Sequence, residues 1–153
     1  MRRKDKEIVD KEIMESIVQK AIVCRIALSD NNMPYLIPVN FGYKDNVLYF
    51  HSATEGKKIE ILKKNNKVCI EVDINHKIIA HEKPCSFGMR YNSVIGFGTA
   101  SFIDDMEKKK DALGIIMDHY APGKNFEFRE RMLNRIVVIQ IKIDSMTGKK
   151  SGD

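Results

Sequence analysis

Long apolar runs are missing from this chain of 153 residues. None approaches the roughly 20 residues that a helix needs to cross a bilayer, so a helical membrane protein is excluded. The charged start Met1-Arg2-Arg3-Lys4-Asp5-Lys6 has no apolar stretch behind it and does not read as a secretory signal. Cysteine is scarce: Cys24, Cys69 and Cys85 make an odd count with no CxxC spacing. That excludes a disulfide framework and suits a reduced, cytoplasmic protein. Absent too are HExxH, GxGxxG, GxxxxGK[ST] and any Ser-His-Asp order, which leaves a metalloprotease, Rossmann enzyme, P-loop ATPase or serine hydrolase without support. There is no internal repeat, low-complexity tract or dividing linker. The expectation is therefore one domain spanning residues 1–153, with residues 1–9 and 149–153 as flexible tails.

The charge present is 26 basic against 21 acidic residues, a formal net charge of +5. Such a balance favours anionic partners, including phosphorylated cofactors. Nucleic-acid binding is not expected, because the basic residues are dispersed rather than gathered on one face.

Periodicity gives the elements in order. Asp10 is a good N-cap for a helix running to about Lys20, with Ile13, Ile17 and Val18 on one face and Met14 beside it. Ala21–Leu28 is apolar apart from Arg25 and reads as a buried strand; its guanidinium needs a carboxylate or a ligand phosphate as partner. Lys67–Asp73 alternates as a half-buried strand. Ser93–Ile103 is the longest strand candidate, and Gly96 and Gly98 on it mark either a barrel corner or clearance for a flat ring. Asp104 or Asp105 caps a third helix, whose buried face carries Leu113, Ile116, Met117 and Tyr120. Asn125–Asn134 is a loop or short helical turn. Val137, Ile139, Ile141 and Ile143 alternate along a last strand. The fold class is mainly β (α+β): a small antiparallel sheet that closes on itself, flanked by about three helices.

The remaining stretch, Tyr35–Lys64, carries the candidate site. Pro34–Tyr43 and Val47–Ser52 read as strands joined at Asp45-Asn46, a pair that tolerates positive φ and so suits a tight hairpin. A small-residue link follows, then a helix with Gly56, Lys57 and Lys58 in its first turn. Unpaired helix-start amides, the Ser52 hydroxyl and two ammonium groups form a phosphate seat in one reading. In the other, Lys57, Lys58, Lys63 and Lys64 are a solvated helix face.

The series Pro34-Tyr-x-x-Pro38-Val39-Asn40-Phe41, Leu48-Tyr-Phe-His51-Ser52-Ala53, Gly56-Lys57-Lys58 and Leu62-x-x-Asn65 resembles the pyridoxamine 5′-phosphate oxidase-like split-barrel superfamily. Its nitroimidazole-resistance branch is the nearest in pattern, helped by Ser93–Gly98 and Ile143–Lys149. The resemblance spans roughly Arg25 to Lys150. It implies a split β-barrel of Greek-key type and a homodimer with FMN between subunits. Pro38, Val39, Asn40 and Phe41 would lie along the isoalloxazine ring. His51, Ser52, Ala53, Gly56, Lys57 and Lys58 would hold the ribityl phosphate, and Ser93 and Val94 would approach from the side. The implied function is FMN-dependent reduction of a small acceptor such as a nitroimidazole or other nitro-aromatic. A non-catalytic flavin- or haem-binding protein of the same fold is the alternative, and FAD or a deazaflavin stays open beside FMN. The oxidase's C-terminal Trp and Arg region has no counterpart, so vitamin B6 oxidation is not expected.

His51 is the candidate catalytic residue, as proton donor or as a contact to cofactor or substrate. His76, His81 and Cys85 lack a usual zinc spacing and read as a surface loop, so no metal is expected. His119 near the end of the third helix suits that helix's dipole.

Overall fold

The computed structural model describes residues 3–152. Short elements open the chain: β1 (Glu7–Ile8) and α1 (Lys11–Lys20). Then come β2 (Cys24–Asp30), β3 (Met33–Val39), β4 (Gly42–Lys44), β5 (Val47–Ala53) and α2 (Lys57–Lys64). Two long strands follow, β6 (Lys67–Ile79) and β7 (Gly88–Ile103). The chain continues through α3 (Met106–Tyr120), the single turn α4 (Glu130–Leu133) and β8 (Ile136–Ser151).

Every strand pairing is antiparallel, in the order β3-β2-β6-β7-β8-β5-β4, with β1 added to β8. This order explains the shape. β3 and β4 are consecutive in the chain and only Asn40 and Phe41 separate them, yet they lie at opposite ends of the sheet. Two residues span less than about 10 Å, so the sheet has to curl until its two edges stand side by side. The result is a barrel closed by a covalent crossover instead of a ladder, which is a split barrel.

This corrects the expectation of one strand from Pro34 to Tyr43. The chain breaks at Asn40–Phe41 and changes edges, and only Gly42–Lys44 forms the hairpin with β5. The turn itself is as expected, with φ of 50° at Asp45 and 66° at Asn46. The tails are also corrected. Glu7 and Ile8 pair with Lys149 and Gly148, and β8 stays paired to β7 as far as Ser151 opposite Tyr91. Met1, Arg2 and Asp153 lie outside the described residues.

The barrel interior is filled by alternate residues of each strand: Cys24, Ile26 and Leu28 from β2, Leu48 and Phe50 from β5, Val68, Ile70 and Val72 from β6, and Ile139, Ile141 and Ile143 from β8. α1 closes one opening with Met14, Ile17 and Val18, while Ile13 is half exposed, against expectation. Asp10 accepts from the amides of Glu12 and Ile13 and so caps that helix. A second core lies outside the barrel. There Ala112, Leu113 and Ile116 of α3 pack with Leu133 on Val138 and Ile103. Asp105, not Asp104, caps α3 through the Lys108 amide.

Gly96 and Gly98 both point into the barrel interior, where neighbouring strands leave no room for a side chain. A Cβ on Gly98 would collide with the Lys142 carbonyl oxygen, where the β7–β8 register shifts. Gly98→Val should therefore force the two central strands apart. The expected loss is about 3 kcal/mol or more of folding stability, read as a lower urea midpoint.

Candidate functional site

Gly56 stands at φ 124°, ψ 167°, a conformation costly for any residue with a Cβ, and caps α2 with its carbonyl accepting from the Ile59 and Glu60 amides. No side chain caps this helix. Ser52 ends the inward-facing series Leu48, Phe50, Ser52 on β5, and its side chain is buried. Its hydroxyl accepts a 3.0 Å hydrogen bond from the Lys58 ammonium. Lys57 lies the other way, its ammonium 4.8 Å above the centre of the Tyr35 ring. Helix start, hydroxyl and the Lys58 cation thus meet, with Lys57 directed away onto Tyr35. Glu60 shares the first turn and offsets part of this positive charge.

The other expected residues divide into three groups. Pro38 and Asn40 are exposed and Val39 half-buried, so this segment is open to a ligand. Gly42 pairs with Tyr49, so the crossover enters the sheet close to the level of His51. Phe41 and Val94 have their side chains wholly buried in the barrel core, so only their backbone could meet a ligand. His51 lies apart from Ser52. It is exposed on the face of β5 that carries Tyr49 and Ala53, opposite to Ser52. Adjacent strand residues point to opposite faces, so His51 and Ser52 do not converge on one small group.

Ser93 is half-buried on the outer face of β7 and far from this region. It pairs with Lys149 on β8, whereas His51 pairs with Val138 on the same strand. Those two partners are separated by about 35 Å of strand. One chain therefore brings Ser52, Lys58 and the start of α2 together, and the strand order sets Ser93 apart from them.

Arg25 takes the carboxylate partner. Its guanidinium lies 3.1 Å from Glu71 and 2.8 Å from Asp73, and His76 Nε2 lies 2.8 Å from the same Asp73. Burial pushes the Asp73 carboxyl up, but hydrogen bonds from Arg25 and His76 outweigh it and leave it below the usual value. Burial, then the Asp73 charge, hold Glu71 above its usual value in spite of Arg25. Asp73 therefore adds stability above its unfolded pKa and loses it as pH falls through its folded pKa. Glu71 works in the opposite sense, and its contribution declines as pH rises from its unfolded to its folded pKa. Arg25→Met removes the cation that serves both. Its cost should be about 1 kcal/mol at pH 7 for these partly exposed groups, and should shrink as pH falls through the lowered folded pKa of Asp73, below which both carboxyls are neutral. Urea melts of both chains at pH 7 and at about pH 2 check this.

The residues around the hairpin of β6 and β7 do not gather. His81 Nδ1 accepts from the Lys83 amide, His76 is held by Asp73, and Cys85 is exposed. Among the described residues, no group of three His, Cys, Asp or Glu side chains is placed to hold a metal.

Sequence reasoning gave Tyr35 no role of its own and placed Tyr120 on the buried face of α3, where the structure leaves it 39% exposed and Met117 half-buried. Tyr35 shares the inner face of β3 with Ile37 and Val39, and that alternation was the available signal. Tyr120 has no such signal, because its partners are backbone groups remote in sequence. A large open cleft of about 1580 Å³ lies between the β4–β5 turn, α3 and the segment 122–129, lined by Tyr43, Tyr49, Phe126 and Phe128. None of the expected site residues lines it.

The family described as pyridoxamine 5′-phosphate oxidase matches residues 10–150. Among solved structures, a candidate 5-nitroimidazole antibiotic resistance protein from Bacteroides thetaiotaomicron is 41% identical, with a TM-score of 0.85 over 94% of this chain and 86% of that one. A FAD- and haem-binding protein from Mycobacterium smegmatis is 20% identical, with a TM-score of 0.88 over 97% of this chain and 74% of that one. A flavocytochrome from Azotobacter vinelandii is 18% identical, with a TM-score of 0.87 over 100% of this chain and 72% of that one. The latter two share the fold. No match was found among curated proteins. With the profile match covering most of its length and the Bacteroides protein similar nearly throughout, the chain belongs to the pyridoxamine 5′-phosphate oxidase-like split-barrel family, on its nitroimidazole-resistance side.

Proposed function

We propose that the protein binds FMN between two copies of the chain and reduces a small acceptor such as a nitroimidazole or another nitro-aromatic. The observation that carries the reading is the Lys58 ammonium docked on the Ser52 hydroxyl beside the start of α2. A phosphate oxygen arriving there would meet an ammonium, a hydroxyl and the first-turn amides, three kinds of donor suited to an anion. The exposed segment Pro38–Asn40 would flank the ring. A bound flavin would supply the electron pair, and the protein would supply position and electrostatics. His51, on the outer face of β5, is available to donate a proton to an acceptor lying against that face.

Two features support the second copy. Ser93 cannot reach the seat of its own chain, but a partner's could. The outer face of β7 carries Met89, Ile95 and Phe97 at 47%, 41% and 56% exposure, with Ile78 beside Met89 at 65% and Leu36 two strands from Cys69 at 61%. A face this apolar is costly to leave in water, and a homodimer would cover it. Among the described residues no helix is long and apolar enough to cross a membrane. The three cysteines are unpaired, which suits the cytoplasmic location we assign.

The test is direct. The purified protein is titrated with FMN, FAD, riboflavin and haem, its mass is measured by light scattering, and nicotinamide oxidation is followed with and without a nitroimidazole. The proposal expects FMN to bind more tightly than riboflavin, a dimer mass, and turnover that depends on the acceptor. Haem uptake without flavin uptake would overturn it in favour of a haem protein. Flavin binding with no turnover on any nitro-aromatic would reduce it to a flavin carrier.

A further inference from the structure

The last turn of α3 holds the place where the chain changes edges of the sheet. Tyr120 donates its hydroxyl proton to the Ile22 carbonyl at 2.9 Å and accepts from the Phe41 amide at 3.0 Å. His119 Nε2 stands 2.7 Å from the Ala21 carbonyl. A carbonyl only accepts, so Nε2 carries the proton in this contact. The His119 ring lies 4.5 Å from that of Phe41 and 4.8 Å from that of Tyr120. Two consecutive side chains therefore tie the approach to β2 and the β3–β4 crossover to one helix end. The sheet ladders do not do this work, because Asn40 and Phe41 belong to no strand.

We propose that Tyr120 is a positioning residue for the flavin, its hydroxyl fixing where the Pro38–Asn40 wall stands relative to the Ser52–Lys58 seat. The proposal rests on the flavin reading above and adds a residue to it. The wall hangs on β3, and the seat is built on β5 and α2. Through the ladders, β3 reaches β5 only by way of β2, β6, β7 and β8. The short route is the crossover itself, so slack at Phe41 would move wall against seat directly. The Tyr120 hydroxyl removes that slack by holding the Phe41 amide. Partial burial raises the phenol above its ordinary pKa, so it keeps its proton at neutral pH. Its hydroxyl is bonded to Phe41 and Ile22 and not to Ser52, Lys57 or Lys58, so its influence should fall on the ring and spare the phosphate.

The test uses Tyr120→Phe, which keeps the aromatic ring and deletes both hydrogen bonds. The full chain is titrated with FMN and with riboflavin, and the visible absorption, visible circular dichroism and reduction potential of the bound flavin are recorded. Both affinities should fall about tenfold together, leaving their ratio as in the unaltered protein, and the visible bands of the bound flavin should shift. Lys58→Met, by contrast, should lower the ratio. A lower melting temperature with unaltered flavin bands would make Tyr120 merely structural and overturn the proposal. So would a fall in the FMN-to-riboflavin ratio, since the hydroxyl would then act on the seat. If Tyr120→Phe does not fold, Tyr120→His takes its place: an aromatic ring is kept and the hydroxyl that holds Phe41 and Ile22 is lost. The same pairing of shifted bands with a constant ratio is then expected, and unshifted bands would refute the proposal. Should the unaltered chain bind neither flavin, the functional reading itself falls and this proposal with it.

Discussion

Lys58→Met is expected to weaken FMN binding by tenfold to a hundredfold while changing riboflavin binding by less than about threefold. Methionine keeps much of the aliphatic stem and removes only the ammonium that reaches Ser52 at 3.0 Å. A hydrogen bond to a charged group contributes about 1.5–3 kcal/mol, which gives the range stated. Riboflavin lacks the phosphate and should barely register the change. The protein's own stability should move little, because Lys58 is only half-buried. Lys57→Met is expected to have a smaller effect, since that ammonium lies over the Tyr35 ring at 4.8 Å and has to leave it to meet an anion. Isothermal titration with both flavins checks these outcomes. Equal affinity of the unaltered protein for FMN and riboflavin would remove the phosphate seat altogether.

Phe41→Ala is expected to cost about 3–5 kcal/mol of folding stability in the absence of any flavin. The side chain is at 0% exposure, packs in the barrel core and touches the His119 ring. Its loss leaves a cavity at the crossover that holds the two sheet edges together. Against a typical total of about 5–15 kcal/mol, the variant should be near its unfolding midpoint at room temperature. Phe41→Leu, closer in volume, should cost less. The measurement is a urea melt without ligand, because bound FMN would itself stabilise the fold. If Phe41 instead flanked the flavin, as its place in the family-like motif implies, the ligand-free melt would barely change and FMN affinity would fall.

How far the sequence could be read follows from which forces are local. The Asp10 cap, a cap at Asp104 or Asp105, the Asp45-Asn46 turn and the alternation along β8 depend on neighbours a few residues away, and all were legible. The β3–β4 break was not. Pro34–Tyr43 is one run of strand-forming residues, and what divides it is a crossover fixed by Tyr120, remote in sequence. The same run hid the burial of Phe41: its neighbours Pro38 and Asn40 are exposed while it is buried. At the site, residues adjacent in the motif were treated as adjacent in space. Strand alternation separates His51 from Ser52, and the length of β8 separates both from Ser93. A period-of-two count along Val47–Ala53 would have revealed the first; the second needed the strand order.

That order also bears on how the protein comes to be folded. β8 is the last strand of the chain, yet it lies inside the sheet, pairing with β7 on one side and with β5 and β1 on the other. During synthesis the hairpins made earlier must wait, with Leu48 and Phe50 uncovered, until residues 136–151 emerge. The chain is thus dependent on contacts between distant segments, a pattern that slows folding and prolongs exposure to aggregation.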